Sequence, residues 1–263
     1  MNKRVDAAGA YVLALRTGEV PAVERVSKVL APDVKLTGAT NLEGHDDVLN
    51  RVTGIWPNTP IFVKGYWSAP TEEGDKVKVT ASFPGMGASP AAVNLTFSYN
   101  ANDQISQIDH ETVPQPRPEA SDTIPDNARG TINAALANNT PMSVAYIDED
   151  GTPNLSLRGS VQVYSDTQLS IWVRNRESGI ARAIAKNPNI ALLYRDSPTR
   201  STLVVKGKGH LESDSETVEK VWNAIQDVEQ KHETRESGCA LIIDVLKMHG
   251  GTPRGGVRVE RNA

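Results

Sequence analysis

The sequence predicts two domains, an α+β domain followed by a mainly antiparallel β-barrel with flanking helices. Three observations predict it. Prolines alternate at Pro114, Pro116 and Pro118, which makes a stiff extended connector and excludes helix. Before that connector, helical patterns come first and strand-like runs follow, the order of an α+β fold. After it, short strand-like runs succeed one another with few helices between, as in a sheet that closes on itself. The 263 residues therefore divide into 1–113, a connector at 114–120, and 121–263. Each long part suits one compact domain.

In the first domain, residues 5–15 and 21–30 carry apolar residues at three-to-four spacing, and Pro21 fits a first helical turn. A short strand at 34–36 follows. Residues 44–56 read as a third helix with Val48, Leu49, Val52, Ile55 and Trp56 inward. Strands are predicted at 61–68, 76–83, 92–99 and 104–113, with turn chemistry at Glu72-Glu-Gly-Asp75 and at 99–103.

The second domain opens with a helix over 125–138, capped by Ser121, Asp122 or Thr123. Strands follow at 141–147 and 153–164, joined through Asp148-Glu-Asp-Gly151, and then at 169–174. A helix from 177 or 178 to 186 stops at Asn187-Pro188, because proline cannot continue it. Strands at 190–194 and 203–211 precede a long amphipathic helix at 214–229, with Val218, Val221, Trp222, Ile225 and Val228 on one face. Strands at 240–246 and 257–261 close the chain. Gly250-Gly251 and Gly255-Gly256 mark a loop or tight turns.

Composition narrows the function. A net charge of −4 gives no basic field for nucleic acid. No apolar run approaches the ~20 residues of a membrane span, and the N-terminus does not read as a signal peptide. A single cysteine, Cys239, forms neither an internal disulfide nor a thiolate cluster, which fits a reducing cytoplasm. At the start of an apolar strand it reads as a packing residue. His210, His232 and His249 lack ligand spacing, so no metal site is expected.

Several segments of the second domain carry a family likeness. They are Asp150-Gly-Thr-Pro-Asn154, Leu157-Arg-Gly-Ser160, Leu169-Ser-Ile-Trp-Val-Arg174, Arg176-Glu-Ser-Gly179, Asn187-Pro-Asn-Ile-Ala-Leu-Leu193 and Val205-Lys-Gly-Lys-Gly209. Their order and spacing resemble the pyridoxamine-phosphate-oxidase superfamily of FMN-binding split β-barrels. That resemblance implies an FMN-dependent oxidoreductase acting on a small organic substrate, with NAD(P)H as a hydride source, in a homodimer holding its cofactor at the subunit interface. It also leaves open deazaflavin F420 or haem, carried with or without catalysis.

The residues themselves are coherent with that. A flavin phosphate needs cations, and its ring needs hydrogen bonds. Arg158 and Ser160 share strand parity. Arg174 and Arg176 bracket a strand-to-helix junction, and Ser178 opens a helix whose free N–H groups favour an anion. In the superfamily the matching positions Arg158, Ser178 and Gly179 hold the phosphate. Trp172 and Val173 lie on the strand beside the ring, and Arg200 begins a strand that also touches it. Each arginine reads equally as a solvated or ion-paired side chain, and Trp172 reads more readily as core. One departure stands out. The family's helix start often reads Ser-Arg-Lys, whereas here it is Ser178, Gly179 and Ile180. Arg174, Arg176 or Arg182 replaces the two missing cations, or the cofactor is held weakly, or another is bound. The C-terminal arginine–histidine pair of the true oxidase is also lacking, so vitamin B6 oxidation is not expected.

The first domain, with Leu42-Glu-Gly-His-Asp-Asp-Val-Leu49 before its third helix, resembles the NTF2-like or SnoaL-like cone. That implies an apolar pocket, for which Tyr11, Asp33, Trp56, Trp67, Asp109 and His110 are candidate groups. An acid or histidine there would serve lyase or isomerase chemistry as a general base, against the plainer reading of a pocket without chemistry or a dimerisation module. Asp109 and His110 are strand neighbours, so at most one faces inward.

Overall fold

The computed structural model describes residues 2–58, 61–87, 89–231 and 235–261, with side chains left out at 55–58. His232 and the side chain of Trp56 therefore lie outside the description. The chain forms two compact units, one of Met1–Pro84 with Ser89–Pro116, the other of Gly85–Ala88 with Arg117–Ala263.

Unit 1 begins with α1 (Lys3–Thr17) and α2 (Val20–Val29), then β1 (Leu30–Gly38), β2 (Leu42–Glu43), α3 (His45–Asn58) and α4 (Ile61–Lys64). Strands β3 (Tyr66–Trp67), β4 (Thr71–Glu73), β5 (Lys76–Ser82), β6 (Ala92–Tyr99) and β7 (Ile105–Val113) complete it. The sheet order is β2-β1-β7-β6-β5-β3, with β4 on β5. Not every pair is antiparallel, since β1 runs parallel to β7 with Gly38 opposite His110. Strand β6 alternates strictly, with Val93, Leu95 and Phe97 buried. The strand expected at 61–68 is corrected. Residues 61–64 make a helical turn that buries Ile61 and Phe62, and the Trp67 indole N–H donates to the Phe62 carbonyl at 2.9 Å. Burial of two large side chains outweighs the β propensity of an Ile-Phe-Val run.

Unit 2 begins with α5 (Asp126–Asn133), β8 (Met142–Ile147), β9 (Pro153–Arg158), β10 (Gln162–Val163) and β11 (Gln168–Val173). It continues through α6 (Gly179–Lys186), β12 (Asn189–Asp196), β13 (Ser201–Glu212), α7 (Ser215–Ala224), α8 (Asp227–Gln230), β14 (Cys239–Thr252) and β15 (Gly255–Glu260). Its sheet is antiparallel throughout the described pairs, in the order β10-β11-β14-β13-β12-β8-β9 with β15 on β14. Strands β11 and β14 bury both faces. Leu169, Ile171, Val173, Leu241, Ile243 and Val245 fill the main core with Ile180 and Ile184 of α6. On the other face, Trp172, Ala240 and Ile242 pack against Val221 and Ile225.

Five expectations for this unit change. The antiparallel half-barrel with flanking helices fits the expected split barrel, but the sheet is not closed on itself, because among the described residues β9 and β10 are its two free ends. The single strand expected at 153–164 breaks at Gly159. There the Ser160 hydroxyl donates to the Trp172 carbonyl at 3.3 Å and accepts from the Trp172 N–H at 3.2 Å, satisfying backbone groups a ladder would have paired. The helix at 125–138 is only α5, entered through Pro125. Ser121 does not cap it but pairs with β15, accepting from the Glu260 N–H. The long helix at 214–229 ends at Ala224. Ile225 turns extended and is buried, the Gln230 side chain caps the freed Trp222 carbonyl at 2.8 Å, and Val228 is exposed. The glycines at 250–251 and 255–256 lie in β14 and β15, with the turn at Pro253-Arg254 between them. Gly250 takes φ 148°, and a Cβ there would meet the Thr202 carbonyl oxygen at 1.9 Å.

Candidate functional site

The open seam of unit 2 encloses a cavity of about 430 Å³, lined by Ser156, Leu157, Arg158, Gly159 and Ser160 along β9 and its exit, Trp172 and Arg174 at the end of β11, and Leu136, Pro141 and Glu229. That size falls among small-molecule sites, ~300–1,000 Å³. The seam is polar because β9 is an edge strand. Its even positions, Ser156 and Arg158, are half-buried, while Leu155 and Leu157 face outward.

Three residues lining this cavity carry a buried polar atom with no hydrogen-bond partner among the described residues: Ser156 Oγ, Arg158 Nε and Trp172 Nε1. Buried polar atoms are nearly always paired, so Ser156 Oγ and Arg158 Nε mark a place where a ligand or water would supply bonds, whereas Trp172 Nε1 lies against Gly238, which borders a separate cavity. Trp172 also serves the core, at 2% exposure and edge-on to Trp222 with centroids 4.9 Å apart. The two readings of Trp172 thus meet in one residue. Arg174 lies at the mouth, 3.6 Å from the Glu229 carboxylate.

The other sequence-derived candidates are elsewhere. Val173 points into the main core opposite Cys239. The Arg176 guanidinium donates to the Glu236 carbonyl at 2.9 Å and the Gly238 carbonyl at 3.1 Å, beside a separate cavity of about 500 Å³ that also borders Cys239. Ser178 caps α6 without a side-chain cap bond, and its Oγ is buried and unpartnered. Gly179 has open space where a Cβ would be. Arg182 donates to the Glu149 carboxylate at 2.7 Å and to the Glu177 carbonyl. Arg200 holds a left-handed backbone, φ 54°, with its Nε buried and unpartnered, and it does not line the seam cavity. Residues gathered at the seam are therefore Arg158, Ser160, Trp172 and Arg174. For a flavin, two guanidiniums and the orphaned atoms fit a phosphate and a polar ring, while Glu229 opposes a phosphate.

Among the polar seam residues, Glu229 and Ser156 are those that sequence reasoning missed. Nothing in the sequence flags the helix break at Ile225 that brings Glu229 to the seam, since no proline or glycine stands there.

In unit 1, Tyr11, Phe62, Phe83 and Phe97 form an apolar interior, and the half-buried His110 ring packs edge-on to Phe62 at 6.3 Å. Burial, with Arg51 nearby, holds the His110 pKa below the ordinary 6.5. Asp109 is turned to other partners, accepting from Thr37 and Gln107 at 2.6 Å each. Burial would raise its pKa, but those two hydrogen bonds bring it below the usual carboxylate value. Trp67 is half-buried and packs against Phe62, whereas Asp33 is exposed. Among the described residues no group of His, Cys, Asp and Glu could hold a metal ion. His210 lies near Glu212 and Asp244, and His249 is exposed. Burial pushes the Cys239 thiol pKa up, with Arg176 working against it. No described helix is long and apolar enough to cross a membrane.

Residues 128–243 match the family model described as pyridoxamine 5'-phosphate oxidase. Solved structures similar to the chain include HupZ of Group A Streptococcus, 18% identical, covering 51% of this chain and 97% of that one at a TM-score of 0.40. Another is a protein from Lactobacillus delbrueckii described as a putative pyridoxamine 5'-phosphate oxidase, 16% identical over 49% of this chain and 94% of that one, TM-score 0.37. A third is described as an F420 reductase, 14% identical over 41% and 88%, TM-score 0.33. No curated protein matches the chain.

Proposed function

Because residues 128–243 match the pyridoxamine 5'-phosphate oxidase family model, we propose that this part is a domain of that family and that the protein is an FMN-dependent oxidoreductase acting on a small organic substrate. The observation that carries this reading is the seam cavity, where Arg158 has a buried nitrogen without a partner and shares the lining with Arg174, Ser156 and Trp172. When bound, the flavin would supply hydride and electron transfer, with NAD(P)H as donor. The chain's own residues would bind and orient it. Arg158 and Arg174 would face its acidic group, Ser156 would offer a hydrogen bond, and the Trp172–Trp222 wall would keep one side dry. Ser160 would act on the backbone of Trp172. Ser178, Gly179 and Arg200 would contribute only across a homodimer interface, which we propose with the exposed Leu155 and Leu157 as apolar contact, while Arg176 would stay with its two backbone carbonyls. The reducing cytoplasm is the compartment proposed.

The visible spectrum of the purified protein tests this. A flavin band near ~450 nm, or its appearance on adding FMN, is expected. Absence of both sinks the reading. Turnover with NAD(P)H and an acceptor separates an enzyme from a carrier of flavin, F420 or haem.

For unit 1 we propose the NTF2-like cone. What supports it is an apolar interior in which the half-buried His110 ring packs on Phe62 and is kept in its neutral form by burial.

A further inference from the structure

We propose that Glu229 is a resident anion of the seam cavity, its carboxylate holding the place of a ligand's acidic group and thereby selecting which ligands enter. The inference rests on the seam being the flavin site. The lining carries two cations, Arg158 and Arg174, and one carboxylate, Glu229. Glu229 is only 18% exposed against 57% for Arg174, and its Oε2 lies 3.6 Å from the Arg174 guanidinium. On the other side it leans on Gly159, where a Cβ would come within 2.3 Å of Glu229 Oε1. Glycine at 159 is what leaves the carboxylate its room.

This pair is weakly made. No hydrogen bond joins the two side chains at that distance, and Arg174 is more than half in solvent, so the contact holds Glu229 with little energy. Arg158 Nε, meanwhile, has no partner among the described residues. An incoming phosphate would take over Arg174, meet Arg158 and face one negative charge that must leave or be neutralised. An uncharged compound of the same shape would face no such repulsion. Specificity is set as much by the repulsive group as by the attractive ones. The cavity is therefore built to discriminate on charge, and Glu229 keeps its affinity for phosphate esters low.

FMN and riboflavin share their ring and differ by the phosphate, so the full-length protein freed of cofactor is titrated with both, reading flavin fluorescence. In Glu229→Gln, FMN affinity is expected to rise about tenfold and riboflavin affinity to change less than about twofold. Gly159→Ala, which pushes aside only the flexible carboxylate tip and a Leu136 methyl, should shift FMN in the same direction. An unchanged or lowered FMN-to-riboflavin ratio in Glu229→Gln overturns the inference while leaving the flavin site intact. Should neither flavin bind either protein, the flavin reading falls, and inorganic pyrophosphate followed by tryptophan emission decides the inference alone. Tighter pyrophosphate binding by Glu229→Gln supports it. Equal, weaker or absent binding ends it.

Discussion

The seam cavity and the start of α6 are both rich in arginine and lie within about twenty residues of chain, yet they differ in what their cations are free to do. At the seam, Arg158 keeps a buried Nε with no partner among the described residues, and Arg174 lies 3.6 Å from the Glu229 carboxylate. At the start of α6, Arg176 is bound to two backbone carbonyls, and Arg182 to a carboxylate and a carbonyl. Proximity of cations in sequence says little about anion binding. Donor capacity left over after folding decides it, because a guanidinium already bonded to protein must lose those bonds before it can serve a ligand.

The comparison can be broken at several points. The largest effect is expected from Trp172→Ala, which removes the side chain shared by seam and core. It should lower stability by about 3–5 kcal/mol in chemical denaturation. A loss well under that would mean that the Trp172–Trp222 wall is not core. Arg158→Ala should weaken FMN binding by about tenfold to a hundredfold, the worth of a charge-assisted bond, with little change in melting. Arg176→Ala should do the reverse. FMN affinity would stay within about threefold, while the lost carbonyl bonds lower stability by about 1 kcal/mol. If Arg176→Ala and Arg158→Ala exchanged these phenotypes, the difference between the two regions would be misread.

Smaller effects concern groups away from the seam. His110 is held neutral by burial, its folded pKa below the ordinary 6.5. Between those two values the unfolded chain binds the extra proton, so stability is complete above about 6.5 and is lost as pH falls toward the folded pKa. Melting of wild type and His110→Asn from pH 7 to 5 checks this, with the variant expected to lose less on acidification. Arg182→Ala should leave melting almost unchanged, since its pair with Glu149 is open to solvent.

Much of the fold was legible because its cause is local. Asn187-Pro188 ends α6 and Asp148–Gly151 turns β8 into β9, each through chemistry readable at those positions. Half of the seam was legible too, because Arg158 sits on a strand where a charge is out of place. Glu229 was not. In a helical pattern it looks like a solvated charge, and the extended turn of Ile225 that brings it inward follows from burial of that side chain against Trp172 and Ala240.

By itself, the sequence determined the order of elements, the antiparallel sheet with flanking helices in the second half, and the residue types available to an anion, all of which depend on periodicity, turn chemistry and composition. Only the tertiary structure decided that the sheet stays open at Gly159, that Ser160 bonds to the backbone of Trp172, and which arginines keep an unused donor. Those outcomes turn on where distant segments meet, and a hydrogen-bond donor is free or occupied only once its neighbours in space are fixed.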